Sequence, residues 1–344
     1  MSGPEHPSQR AEVPIEAIYK DLQQRIRFPP PHLMPVNVLD WSEERLRENA
    51  LPPRPPTELE GAARIWEEAV RNLNLVDTPS VRVFQIDGTG RHRHRQRTTD
   101  RSSNNWSGGV LSIPNSWICK TIYASWIVPS AKPGVPQAPA LKDFTWQGSC
   151  WLGLDGNLPG SVAMPQMGTK HLLHRPVLGP ATSAATVWWQ WWIKNDPFNI
   201  PLTIPIPVCP GHRVTALETV LDEFSVNFFI SNLTTGKSVS FNAMAPKDSS
   251  GAAVPIEQQT MEWIVERQTE IGGSDLLPFA DYERCTFKSC VATLLNAAGK
   301  NVTIDLATPK TLRMVNWGDP VDPGHVISTY AGGDFETVDV TYEP

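Results

Sequence analysis

Ser225-Val-Asn-Phe-Phe-Ile-Ser-Asn-Leu-Thr-Thr-Gly-Lys-Ser-Val-Ser-Phe241 decides the fold class. Two runs rich in β-branched and aromatic residues, Ser225–Ser231 and Lys237–Phe241, flank Asn232-Leu-Thr-Thr-Gly236. Glycine stands there where a left-handed residue is wanted, which is the pattern of a β-hairpin. The same signals recur outward from this stretch. Ile122-Tyr-Ala-Ser-Trp-Ile-Val128 stops at Pro129, and strand-like runs follow one another from Asn104 onward with turn residues between them. Such a chain is expected to be all-β, a sandwich or a barrel. The 33 prolines and 13 tryptophans among 344 residues agree, because proline breaks helices and indoles favour pleated surfaces.

The first hundred residues read differently. They carry 15 acidic and 14 basic side chains but only two of the 13 tryptophans. Leu59, Ala62, Ala63, Trp66, Ala69, Val70 and Leu73 recur at helical spacing within Thr57–Asn74, with Thr57 and Glu60 placed to form a capping box. A shorter helix is expected from Ile15 to Ile26. Proline clusters at Pro29–Pro31 and Pro52–Pro56 act as stiff spacers. Arg91-His-Arg-His-Arg-Gln-Arg97 then reads as a solvated linker that is also cleavable. The predicted organisation is a helical, Pro-rich segment over 1–90, a basic linker over 91–103 and a β-domain over 104–344.

Net charge is −6, which gives no global attraction to nucleic acid. No apolar run approaches the roughly 18 residues of a membrane helix. The five cysteines fit no readable disulfide framework, and Cys285 and Cys290 with His171 and His174 match no common zinc spacing. No metal and no cofactor are therefore expected. Met1–Tyr19 shows no basic-then-apolar signal segment.

Three stretches carry the chemistry. In Glu262-Trp-Ile-Val-Glu266, a strand puts Glu262, Ile264 and Glu266 on one face and turns Trp263 and Val265 to the core. Two carboxyls on one face are either a solvated pair or a pair with raised pKa values suited to acid–base work. In Val187-Trp-Trp-Gln-Trp-Trp-Ile193, Trp188, Gln190 and Trp192 oppose Trp189, Trp191 and Ile193. Indoles on both faces mean burial between layers or an aromatic cleft. The third stretch is Cys150-Trp-Leu-Gly-Leu-Asp-Gly156, followed by Pro165-Gln-Met-Gly168.

These stretches, together with Asn105-Trp106, Gly108-Gly109, Ala124–Pro129, Asn232–Gly236 and Pro278–Ala280, run in one order that resembles the glutamic peptidases, or eqolisins. The resemblance implies a concanavalin A-like sandwich of two antiparallel sheets whose site lies on one concave face. It implies a metal-independent acid endopeptidase in which Glu266 is the general base and Gln166 the amide that meets the oxyanion. Trp106, Trp151, Asp155, Trp188, Gln190, Trp192 and Glu262 fall where supporting or substrate-contacting residues are expected. The implied partner is a polypeptide substrate, with no nucleic acid and no membrane, and the working form is a monomer. Members are typically secreted after loss of a propeptide that can mask the cleft, and residues 1–100 suit that role. Localisation stays open. Met167, Lys170, Thr186 and Gln190 depart from the family pattern, and the lost carboxylates predict altered specificity and a less acidic optimum. The alternative is a sandwich that binds carbohydrate or peptide on its aromatic strand without catalysis. A sandwich glycosidase would need Glu-x-Asp-x-Glu on one strand, which the sequence lacks.

Overall fold

The computed structural model describes residues 15–30, 37–71, 73–76, 85–86, 102–139, 141–194, 200–269, 276–304, 310–315, 325–332 and 337–343. From Trp106 onward the described chain is strand after strand: β1 (Trp106–Ser112), β2 (Ile118–Ile127), β3 (Lys132–Val135), β4 (Phe144–Leu154), β5 (Ala163–Arg175), β6 (Thr182–Ile193), β7 (Leu202–Ile204), β8 (Arg213–Asp222), β9 (Ser225–Asn232), β10 (Lys237–Met244), β11 (Thr260–Glu266), β12 (Phe279–Asp281), β13 (Arg284–Leu295), β14 (Asn301–Ile304), β15 (Lys310–Val315), β16 (Val326–Gly332) and β17 (Thr337–Tyr342). The hairpin that opened the reading is β9–β10, and Gly236 at its turn has φ +70°.

In space, β1, β11, β4, β5, β6 and β7 form one antiparallel sheet. A second runs β10, β9, β8, β2, β13, β17 and β16. β15 pairs with β1 and with β16, so it joins the two. The fold is the expected all-β sandwich. Its core lies between the layers, where Leu152, Trp189 and Trp263 of the first sheet meet Trp126, Phe228 and Phe241 of the second. Buried indoles need hydrogen-bond partners. Trp126 Nε1 donates to Thr169 Oγ1 at 2.9 Å and Trp263 Nε1 to the Tyr123 carbonyl at 2.8 Å, each reaching from one sheet to the other.

The tryptophan strand, β6, packs indoles on both of its faces. Trp189 and Trp191 pack on Phe228 in the inter-sheet core, with ring centroids 5.3 and 6.4 Å away. Trp188 and Trp192 belong to a separate cluster on the other face, with Trp106, Trp151 and Ile264.

Three helices precede the sandwich among the described residues: α1 (Ile15–Arg25), α2 (Glu43–Glu48) and α3 (Glu60–Val70). The expected capping box of Thr57 and Glu60 does not form. The Leu59 N–H closes a turn onto the Pro56 carbonyl, so Leu59 becomes the cap residue and no side chain caps the helix. Leu46, Trp66 and Val70 bury against Tyr123, Leu217 and Phe229 on the outer face of the second sheet. Residues 26–27 and 74–75 pair with β10 and cover that edge, which would otherwise offer open backbone groups. Among the described helices, α2 and α3 therefore sit behind the second sheet, whereas Ile18 and Leu22 of α1 join the inter-sheet core. Residues 85–86 do pair with β7, at the edge of the first sheet. The basic run Arg91–Arg97 lies outside the described residues.

Candidate active site

The site is built on the outer face of the first sheet. Strand alternation puts Met261, Trp263 and Val265 into the inter-sheet core and leaves Glu262, Ile264 and Glu266 on the opposite face. The same alternation and the unbroken registers of neighbouring strands bring Trp106, Trp151, Gln166, Trp188, Gln190 and Trp192 to that face. Apart from Asp155, which sits in the turn after β4, every residue expected from the sequence to act, support or touch substrate therefore shares one face of the sheet. A solvated pair is excluded for Glu262 and Glu266, which are 0% and 2% exposed.

Glu266 occupies a polar pocket in an aromatic wall. Trp151 Nε1 donates to its Oε2 at 2.9 Å, and Asn105 Nδ2 reaches its Oε1 at 3.3 Å. The Trp106 and Trp151 rings meet edge to face, with centroids 4.9 Å apart. Burial pushes the Glu266 carboxyl up to about 7, although donors from Trp106, Trp151 and Asn105 pull it down. Ser103 Oγ donates to Asn105 Oδ1 at 3.1 Å and so aims the Asn105 amide nitrogen at the carboxyl. The sequence reading missed the part played by Ser103, and nothing in the pair Ser102-Ser103 signals it.

Gln166 lies opposite Gln190 on one side and Gly153 on the other, and Gly153 in turn faces Glu262. Gln166 Nε2 donates to Gln190 Oε1 at 3.2 Å. Gln166 and Glu266 make no hydrogen bond to each other. Glu266 faces Ser149, four residues along β4 from Gly153, which is about 13 Å along the strand direction. Trp151 lies between these two levels, opposite Ile264 and Gly168. Gly168 is required there, because a Cβ would stand 2.1 Å from the Cys150 carbonyl oxygen and 2.6 Å from Trp151 Cβ.

Asp155 works on the backbone. At φ +64° it ends β4, and its carboxylate accepts the N–H groups of Glu257, Gln258, Gln259 and Thr260 at 2.6–3.3 Å. That clamp fixes the start of β11. Burial raises the Asp155 carboxyl to about 6 against those four donors. Of the departures from the family pattern, Met167 points into the inter-sheet core, away from the face that carries Glu266 and Gln166. Lys170, opposite both Ser149 and Thr186, is level with Glu266. Among the described residues no group of three or more His, Cys, Asp or Glu side chains is placed to hold a metal ion, and no helix is long and apolar enough to cross a membrane.

The family model of the peptidase A4 family matches residues 104–319, well over half of the chain. The chain belongs to the peptidase A4 family. It is a glutamic peptidase, an endopeptidase that hydrolyses peptide bonds in polypeptides. Among solved structures, scytalido-glutamic peptidase with a peptide-based transition-state analogue is 20% identical, with a TM-score of 0.48 over 70% of this chain and 98% of that one. SCP-B, an eqolisin in complex with the tripeptide Ala-Ile-His, is 20% identical, with a TM-score of 0.45 over the same shares. Aspergilloglutamic peptidase from Aspergillus niger is 21% identical, with a TM-score of 0.45 over 58% of this chain and 99% of that one. Curated protein sequences give no match.

Proposed function

We propose that this glutamic peptidase hydrolyses peptide bonds with Glu266 and Gln166 and needs no metal. The observation that carries the reading is the Glu266 carboxyl, buried and raised to about 7 yet held in a fixed orientation by Trp151 and Asn105. A carboxyl with a pKa near the working pH is an effective general base. Ionised Glu266 takes a proton from water as the water oxygen bonds to the scissile carbonyl carbon. A Gln166 Nε2–H stabilises the oxyanion that develops. Protonated Glu266 then gives its proton to the amine nitrogen as the C–N bond breaks, which returns the carboxylate. On a flat sheet the Cα positions of Gln166 and Glu266 would be roughly 16 Å apart. Trp151 rises from the midpoint of that span, so in this reading the water and the scissile carbonyl sit against its ring.

The pH range follows from the same carboxyl. The base must be ionised, so with a pKa of about 7 the rate rises as pH increases toward neutrality. An enzyme of an acid-working family is thereby moved toward the mildly acidic to neutral range. Residues 104–344 form the peptidase unit in this reading, residues 1–90 its N-terminal segment and 91–103 a cleavable linker. Trp188 and Trp192 supply the apolar wall for an extended peptide, and the working form is a monomer.

Hydrolysis of a denatured protein by the full chain, with a chelator present, tests the assignment. Glu266→Gln and Gln166→Ala are each expected to lower kcat by at least about a hundredfold while the protein stays folded. Wild-type rates in either variant contradict the reading, and loss of activity to the chelator contradicts its metal independence.

A further inference from the structure

Gln166 and Glu262 flank Gly153 at one level of the sheet, one strand to either side, so their Cα positions are about 10 Å apart. Both side chains rise from the same face. Gly153 sends nothing up between them, and a Cβ there would come within 3.0 Å of Gln166 Cβ and of the Trp151 ring and within 2.9 Å of the Pro165 carbonyl oxygen. Gln166 Oε1 and both carboxyl oxygens of Glu262 are buried and make no hydrogen bond within the protein. Buried polar atoms of native proteins are nearly always paired, with protein or with ordered water.

We propose that Glu262 is a positioning residue for Gln166, and that one buried water joins the unpaired oxygens of the two side chains. The inference rests on the reading of Gln166 as the amide that meets the oxyanion. The water accepts the Glu262 O–H and donates to Gln166 Oε1. At the other end of the amide, Gln166 Nε2 gives one hydrogen to Gln190 Oε1 at 3.2 Å. An amide held at both ends has one Nε2–H left, and that hydrogen meets the oxyanion. The arrangement needs a protonated Glu262. Burial holds that carboxyl well above the ordinary range, and the Asp155 carboxyl and, from the second sheet, the Glu218 carboxyl push it further up.

Steady-state kinetics of the full chain carrying Glu262→Leu, Glu262→Gln, Gln166→Ala and the Glu262→Leu/Gln166→Ala pair tests the proposal. Glu262→Leu is expected to lower kcat by about 10–100-fold, as loss of a group that orients a reacting side chain does, with KM within about twofold. Its Tm stays within a few degrees of wild type, because a buried acid and its water give way to an apolar side chain of similar volume. Glu262→Gln, which keeps a donor and an acceptor for the water, stays within about threefold of wild type. The double variant is no slower than Gln166→Ala alone, since both substitutions remove one function. Wild-type kcat in Glu262→Leu, multiplying effects in the pair, or equal losses in Glu262→Gln and Glu262→Leu overturn the proposal. Wild-type kcat in Gln166→Ala instead overturns the reading of Gln166 on which it stands.

Discussion

At the scale of single residues, Asp155 and Met167 show how far a side chain's role depends on its direction. Asp155 spends its carboxylate on four consecutive backbone N–H groups ahead of β11. Asp155→Ala leaves those donors without their acceptor and is expected to cost about 2–4 kcal/mol, read as a drop in Tm, with a fall in kcat because β11 carries Glu266. Met167 stands where the family has threonine, yet it packs into the inter-sheet core. Met167→Thr is therefore expected to cost about 1–3 kcal/mol of stability by burying a hydroxyl while kcat stays within about twofold. A kcat change without a stability change would show that Met167 reaches the site. The sequence made Glu262 and Glu266 legible as neighbours on one face, since alternation alone decides that. It could not tell that both are buried, because burial depends on the aromatic wall that Trp106 and Trp151 bring from other strands.

At the scale of elements, the strand pattern was readable and the register was not. Alternation sorts Trp189 and Trp191 from Trp188 and Trp192, and the hairpin glycine marks the β9–β10 turn. Which residues stand level across β11, β4, β5 and β6 depends on hydrogen-bonded pairing between segments that can lie more than a hundred residues apart, and no local propensity encodes it. That pairing puts Gln166 level with Glu262 and sets Glu266 level with Ser149 and Lys170. Gly168 guards this register. Gly168→Ala forces β5 away from the Cys150 carbonyl and is expected to cost about 1–3 kcal/mol as overpacking does, with kcat falling because Gln166 sits two residues away on the same strand. A fully active, equally stable Gly168→Ala protein would show that β5 has more freedom than its contacts allow. The capping box failed for a related reason. Thr57 had the right spacing to Glu60, but the turn closed at Pro56 took the residue out of reach.

At the scale of the whole molecule, the buried carboxyls set how stability depends on pH. Glu266, Asp155, Glu262 and Glu218 all have pKa values raised by burial. In each case the folded state holds its proton at a pH where the unfolded chain has released it. Stability from these groups is thus full below about pH 4 and is lost as pH rises, through about 6 for Asp155 and about 7 for Glu266. His171, buried and lowered to about 3, acts the other way: it weakens the fold as pH drops below about 6.5. Four carboxyls outweigh one imidazole, so Tm is expected to be higher at pH 5 than at pH 8, and the opposite order would show that these carboxyls titrate in the ordinary carboxylate range in the folded state. The N-terminal segment belongs to the same balance. Removing residues 1–103 uncovers Tyr123, Leu217, Phe229 and Val291 on the second sheet. The 104–344 fragment is expected to melt lower than the full chain and to self-associate, whereas a chain nicked in the basic run keeps its N-terminal piece bound on size exclusion. A monodisperse fragment as stable as the whole chain would refute that. The central claim, that Glu266 is the base of a metal-independent peptidase, is tested most directly by the pH dependence of kcat/KM on a denatured protein substrate, in chelator, for wild type and Glu266→Gln. The account predicts a wild-type rate that climbs with pH to a midpoint near 7 and a variant with no such limb and little activity at any pH. A Glu266→Gln enzyme with the wild-type profile would contradict it.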